Sequence, residues 1–124
     1  MLRAAFSKAM MIEDNDMKSY SKIVRDKIPE IIEKSGKSCV WEKVSTEEAV
    51  LGLENKLLEE VREYLESREI EELADVLEVI HGICCLRNVN MEEVEKIRLE
   101  KKEKRGGFEE GIRLLEVYEA QEAR

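Results

Sequence analysis

Two pairs of acidic residues carry the clearest chemical signal in this 124-residue chain: Glu60 with Glu63, and Glu72 with Asp75. The members of each pair are three residues apart, so on a helix they project from one side. Two such pairs on antiparallel neighbours can surround a hard cation with oxygen ligands. Spacing alone says little, because 29 residues are acidic, and Glu92 with Glu95 and Glu116 with Glu119 repeat it. For an arbitrary pair of this kind the ordinary reading is a solvated helix face.

Context separates one pair from that background. Glu72 and Asp75 sit in IEELADVLEVIHGICCL, from Ile70 to Leu86, whose apolar residues cover nearly the whole circumference of a helix. That helix is expected to be mostly buried. At about 100° per residue, the two carboxylates share a side with Val76, Val79, Ile83 and Leu86. Burying a carboxylate costs several kcal/mol unless a cation or hydrogen-bond donors compensate. Either a metal ion or an ion pair with Arg25 or Arg105 would do so. Glu60 lies at the edge of its own helix's apolar stripe and Glu63 turns further out, so placing them inward needs a neighbouring helix or a second subunit. Glu59 is further out again and suits a supporting or water-activating role; Glu78 repeats the spacing after Asp75 and would cap the acidic group from one end, the alternative being a salt bridge or an exposed position.

The elements that must hold these residues are helical. Hydrophobic residues make up 43% of the chain but aromatic ones only 5%, and 40% are charged, which points to aliphatic-cored helices with wide solvated faces. The expected fold is a single all-α domain of about four helices, over residues 17–124, preceded by a flexible extension at 1–16. Pro29 starts a short first helix and Gly36 ends it. Ser45 and Glu48 form a capping box for a helix from about Thr46 to Glu66. A break near Ser67 and Arg68 precedes a second long helix, Glu69 to Arg87. Asn90 and Glu93 cap a third, which runs to Arg105 and stops at Gly106 and Gly107. Short strands are possible near 39–44 and 112–117, the latter segment alternatively forming a last helix.

A net charge of −8 and a pI near 4.9 argue against nucleic-acid binding, which needs clustered cations. An acidic protein that handles phosphates needs a metal ion as intermediary. Cys39, Cys84 and Cys85 lack a CxxC spacing and read as reduced core residues, no apolar run reaches membrane-spanning length, and the first segment lacks the features of a signal peptide. A cytoplasmic location is expected. With one histidine, no Walker A loop and no GxGxxG, neither triad chemistry nor a nucleotide-binding glycine loop is indicated. His81 reads as a core or interface residue.

Taken in order, SKIVRDKIPEII, KLLEEVREYLES, EELADVLEVI and KKEKRGGF resemble the all-α NTP pyrophosphohydrolase superfamily that includes MazG, and in particular its compact phosphoribosyl-ATP-pyrophosphohydrolase-like branch. The likeness runs from about Tyr20 to Val117. It implies Mg²⁺, with Mn²⁺ as a substitute, bound by Glu60, Glu63, Glu72 and Asp75, and catalytic roles for Glu59 and Glu60. It carries the family's basic element to Lys101 and Arg105, with Lys104 as an auxiliary, for binding substrate phosphates; Lys22 and Arg25 are further candidates. The implied activity is hydrolysis of a nucleoside triphosphate at the α–β phosphoanhydride to a nucleoside monophosphate and pyrophosphate, and the implied role is nucleotide-pool cleaning. A departure is the spacing: only residues 64–71 separate the two pairs, which makes a tight hairpin. Four short helices cannot enclose a nucleotide deeply, so a homodimer or homotetramer is expected, with Trp41 or Tyr20 available to stack on the base. The rival readings are a phosphoribosyl-ATP pyrophosphohydrolase of histidine biosynthesis and a non-catalytic helical interaction module.

Overall fold

A computed structural model describes residues 21–120, and the fold is all-α. Four helices follow in order: α1 (Ile28–Lys34), α2 (Thr46–Ser67), α3 (Ile70–Leu86) and α4 (Met91–Arg105). The proposed extension at 1–16 and Tyr20 lie outside the described residues. Contacts divide the chain after Met91, so that α1 to α3 belong to a first unit and nearly all of α4, with the residues after it, to a second.

Local sequence explains where the helices begin and end. Pro29 occupies the first turn of α1, where its missing N–H costs nothing, and Ile28 and Ile32 turn inward. At the start of α2 the Glu48 N–H donates to Ser45 Oγ at 3.1 Å, and the Ser45 hydroxyl donates to Glu48 Oε1 at 3.1 Å. The cap therefore satisfies an N–H that no helical carbonyl can reach. Arg68 ends α2 in the left-handed region (φ 59°), and its N–H donates to the Tyr64 carbonyl at 2.6 Å. Only Arg68 and Glu69 separate α2 from α3, so the two helices fold back as a hairpin.

Two glycines set how closely this unit packs. A Cβ at Gly82 on α3 would stand 2.9 Å from Leu53 Cδ1 on α2, and a Cβ at Gly52 would collide with Ile23 of the segment before α1. Gly82 thus lets the hairpin close, and Gly52 lets residues 23–25 lie across α2.

Three expectations are corrected. Neither 39–44 nor 112–117 is a strand, and the latter is not a helix; among the described residues there is no strand at all. An alternating segment needs a neighbour to accept its backbone hydrogen bonds, and Val40, Trp41, Ile112 and Val117 remain exposed. α3 is not buried all round: Ile70, Leu73 and Leu77 face outward, because α2 covers one side of it only. Of the cysteines, Cys84 is buried, Cys85 is exposed and Cys39 is half-buried. No helix among the described residues is long and apolar enough to cross a membrane.

Candidate metal centre

The buried polar residues of the described chain are Glu60, Glu63, Glu72 and Asp75, with fractional exposures of 2%, 7%, 2% and 4%. They equal in number the buried hydrophobic residues, Ile28, Ile32, Val79 and Cys84. Half of the most buried positions are thus carboxylates, an arrangement that desolvation opposes strongly unless cations gather them. Glu60 and Glu63 reach the interior without a second subunit, because α3 itself covers them across the tight hairpin.

Glu60 stands at the centre of the group. One oxygen from each of Glu60, Glu72 and Asp75 lies within 4.8 Å of the others, and the same holds for Glu59, Glu60 and Glu63. Oxygen ligands about 2.0–2.6 Å from one hard cation are separated by at most about 4–5 Å, so each triad has the span of a metal shell.

Cations reach one oxygen of Asp75 and one of Glu60, and both oxygens of Glu59. Arg25 Nη2 donates to Asp75 Oδ1 at 2.8 Å, Lys56 Nζ lies 3.6 Å from Glu60 Oε2, and Lys22 Nζ donates to Glu59 Oε2 at 2.9 Å. Asp75 Oδ2 and Glu60 Oε1, the opposite oxygens, are buried with no hydrogen-bond donor. A buried acceptor left in this state costs about 1–3 kcal/mol, more when it is charged. The Ser67 hydroxyl lies 3.5 Å from Glu72 Oε1 and helps to orient it. Burial pushes the Glu60 carboxyl up to about 7; Lys56 opposes this, while the negative charges of Glu63, Asp75 and Glu59 add to it.

A cavity of about 690 Å³ opens beside the group. Its charged lining is Arg25, Asp26, Lys56, Glu60, Asp75 and Glu78, and Ile23, Val24, Leu53, Val79, Leu86 and Met91 supply apolar wall. Its size falls within the range of small-molecule sites, and its lining joins apolar surface to a few convergent charges.

Other sequence assignments fare differently. Glu78, His81 and Cys85 line the cavity and are exposed, so His81 is not a core residue and Glu78 belongs to neither carboxylate triad. Trp41 is exposed and absent from the cavity wall. Lys22 and Arg25, read as phosphate ligands, here hold Glu59 and Asp75. Arg25 thus reaches across to α3 instead of pairing with its neighbour Asp26. Lys101, Lys104 and Arg105 are exposed on the last turns of α4, in the second unit.

Sequence reasoning missed Lys56, although its placement three and four residues before Glu59 and Glu60 is a helical ion-pair spacing. It also missed Gly52 and Gly82, whose importance depends on which side chains pack over them. Compared with protein-family models, with curated proteins and with solved structures, the chain matches none.

Proposed function

We propose that this chain is a Mg²⁺-dependent nucleoside triphosphate pyrophosphohydrolase, which releases a nucleoside monophosphate and pyrophosphate. The observation that carries the reading is the pair of donorless oxygens, Glu60 Oε1 and Asp75 Oδ2, buried within a carboxylate cluster whose Glu60 and Asp75 line a ligand-sized cavity. Their burial fits residues organised to receive a cation. The order of the acidic pairs and the basic element, which resembles the MazG-like enzymes, supplies the reaction class.

Glu60, Glu63, Glu72 and Asp75 would hold the ion, which when bound supplies Lewis-acid polarisation and a template for the phosphate oxygens. Glu59, half-buried at the edge of the cluster, orients the attacking water and accepts its proton. Arg25, which lines the cavity, and Lys22 would exchange their carboxylate partners for phosphate oxygens, forming charge-assisted hydrogen bonds of comparable strength. Ile23, Leu53, Val79 and Met91 offer the base and sugar an apolar wall that excludes water.

A pyrophosphate-release screen tests this reading across canonical and damaged nucleoside triphosphates and phosphoribosyl-ATP, with Mg²⁺ or Mn²⁺. Release by the wild type but not by Asp75→Asn supports it. No metal-dependent release from any of these compounds rejects it. The 2.8 Å pair between Arg25 and Asp75 favours a second reading, a non-catalytic helical module whose carboxylates serve ion pairs. On that reading Mg²⁺ leaves the melting temperature unchanged.

A further inference from the structure

Two matched stripes of side chains line the cavity. On α2 the stripe is Ala49, Leu53, Lys56 and Glu60, and on α3 it is Asp75, Val79, Gly82 and Leu86, with the same spacing along each helix. Two close approaches fix how the antiparallel stripes pair. Oxygens of Glu60 and Asp75 lie within 4.8 Å of each other, and a Cβ at Gly82 would stand 2.9 Å from Leu53 Cδ1. Lys56, between Leu53 and Glu60, is therefore level with Val79, whose side chain offers no acceptor.

Lys56 is also the cavity cation with the weakest hold on a partner. Its side chain is only 19% exposed, and its Nζ lies 3.6 Å from Glu60 Oε2 and 3.8 Å from Glu59 Oε1. Both separations exceed the roughly 2.7–3.2 Å of an N–H···O hydrogen bond. Arg25, the other cation of the lining, meets Asp75 at 2.8 Å. The Lys56 ammonium has three donors, and it makes no hydrogen bond among the described residues. Leaving it mostly buried in that state costs free energy until an acceptor enters the cavity.

We propose that Lys56 is the cation that receives the substrate's phosphate chain, donating to a phosphate oxygen held between the carboxylate cluster and the apolar wall of Leu53 and Val79. One helical turn separates it from Glu60, about 6 Å along the axis, so an anion as small as pyrophosphate can touch both Lys56 and a metal ion at the cluster. With Glu59 and Glu60 engaged by that ion, their pull on the ammonium weakens and the phosphate oxygen becomes its strongest partner. The assignment rests on the reading of the cavity as a nucleotide site. It gives to α2 a task that the sequence suggests for Lys101 and Arg105, neither of which is in the cavity lining.

Isothermal titration calorimetry of inorganic pyrophosphate into the full chain, in excess Mg²⁺, tests it. Lys56→Met keeps the apolar stem and removes the charge; it should weaken pyrophosphate binding about tenfold or more, the loss of one charge-assisted hydrogen bond. Lys56→Arg should retain most of the affinity. Lys56→Met should also keep the rise in Tm that Mg²⁺ gives the wild type. A variant that loses that rise together with pyrophosphate binding makes Lys56 a structural partner of Glu60 and overturns the proposal. So does an unchanged affinity in Lys56→Met, or a wild type that fails to bind pyrophosphate at about 1 mM. Should Lys56→Met not fold, acetylation of the wild type decides: pyrophosphate should slow modification of Lys56 but not of the exposed Lys34. Pyrophosphate bound through Lys56 without hydrolysis of any nucleotide would reject the hydrolase reading and leave the anion site standing. Hydrolysis with the same kcat/KM in wild type and Lys56→Met would do the reverse.

Discussion

The two sides of the α2–α3 hairpin invert the usual arrangement of a water-soluble helix pair. On one side Glu60, Glu63, Glu72 and Asp75 are buried; on the other Leu58, Leu65, Leu73 and Leu77 are exposed. Hydrophobic burial would favour the opposite placement. The difference sets a cluster of buried carboxylates, for which we propose a cation, against an exposed apolar face.

The largest effect should come from neutralising the acidic side. Asp75→Asn and Glu72→Gln, each nearly isosteric, should lower metal-dependent pyrophosphate release at least a hundredfold in kcat/KM, judged by ligand losses at metal sites; an unchanged rate would remove these residues from the site. Next is the close approach between the helices. Gly82→Val should destabilise the chain by about 1–3 kcal/mol in urea denaturation, because its side chain must displace Leu53. A smaller shift comes from Glu60. Its folded-state carboxyl is pushed up to about 7 from an ordinary value of 4.5, so between those values the folded chain holds a proton that the unfolded chain releases. The contribution of this group to stability is therefore complete below about 4.5 and is lost as the pH rises through about 7. In a metal chelator, melting temperature should fall from pH 5 to pH 8, and Glu60→Gln should flatten that slope; an unaltered slope in the variant would place the titration elsewhere. The smallest effect belongs to the apolar side. Leu73→Gln should change the stability of the chain by no more than about 0.5 kcal/mol, as expected for an exposed position, and a larger loss would mean that Leu73 packs against other residues.

The same contrast explains what the sequence made legible. The Ser45 cap, the Pro29 start and the break at Arg68 are local, and helix bounds read from them agree with the structure to within a residue or two. Burial of Glu72 and Asp75 was legible because their own helix surrounds them with Val76, Val79 and Leu86. Burial of Glu60 and Glu63 was not, since it depends on α3 folding back across a two-residue connection. Neither could a helical wheel show that α3 is covered on one side only, because Leu73 and Val79 are equally apolar in sequence. The runs at 39–44 and 112–117 carry strand-like letters but lack a partner strand, and pairing is not a local property.

Metal dependence of thermal stability tests the central claim most directly, comparing wild type and Glu60→Gln in chelator and in increasing Mg²⁺ or Mn²⁺. A cation that binds the folded chain stabilises it by mass action, by about 2.7 kcal/mol at a hundred times its dissociation constant. The account predicts a saturable rise in Tm for the wild type that is lost or strongly reduced in Glu60→Gln, which removes the carboxylate shared by both triads. A wild-type Tm indifferent to either ion, or an equal rise in the variant, would contradict it.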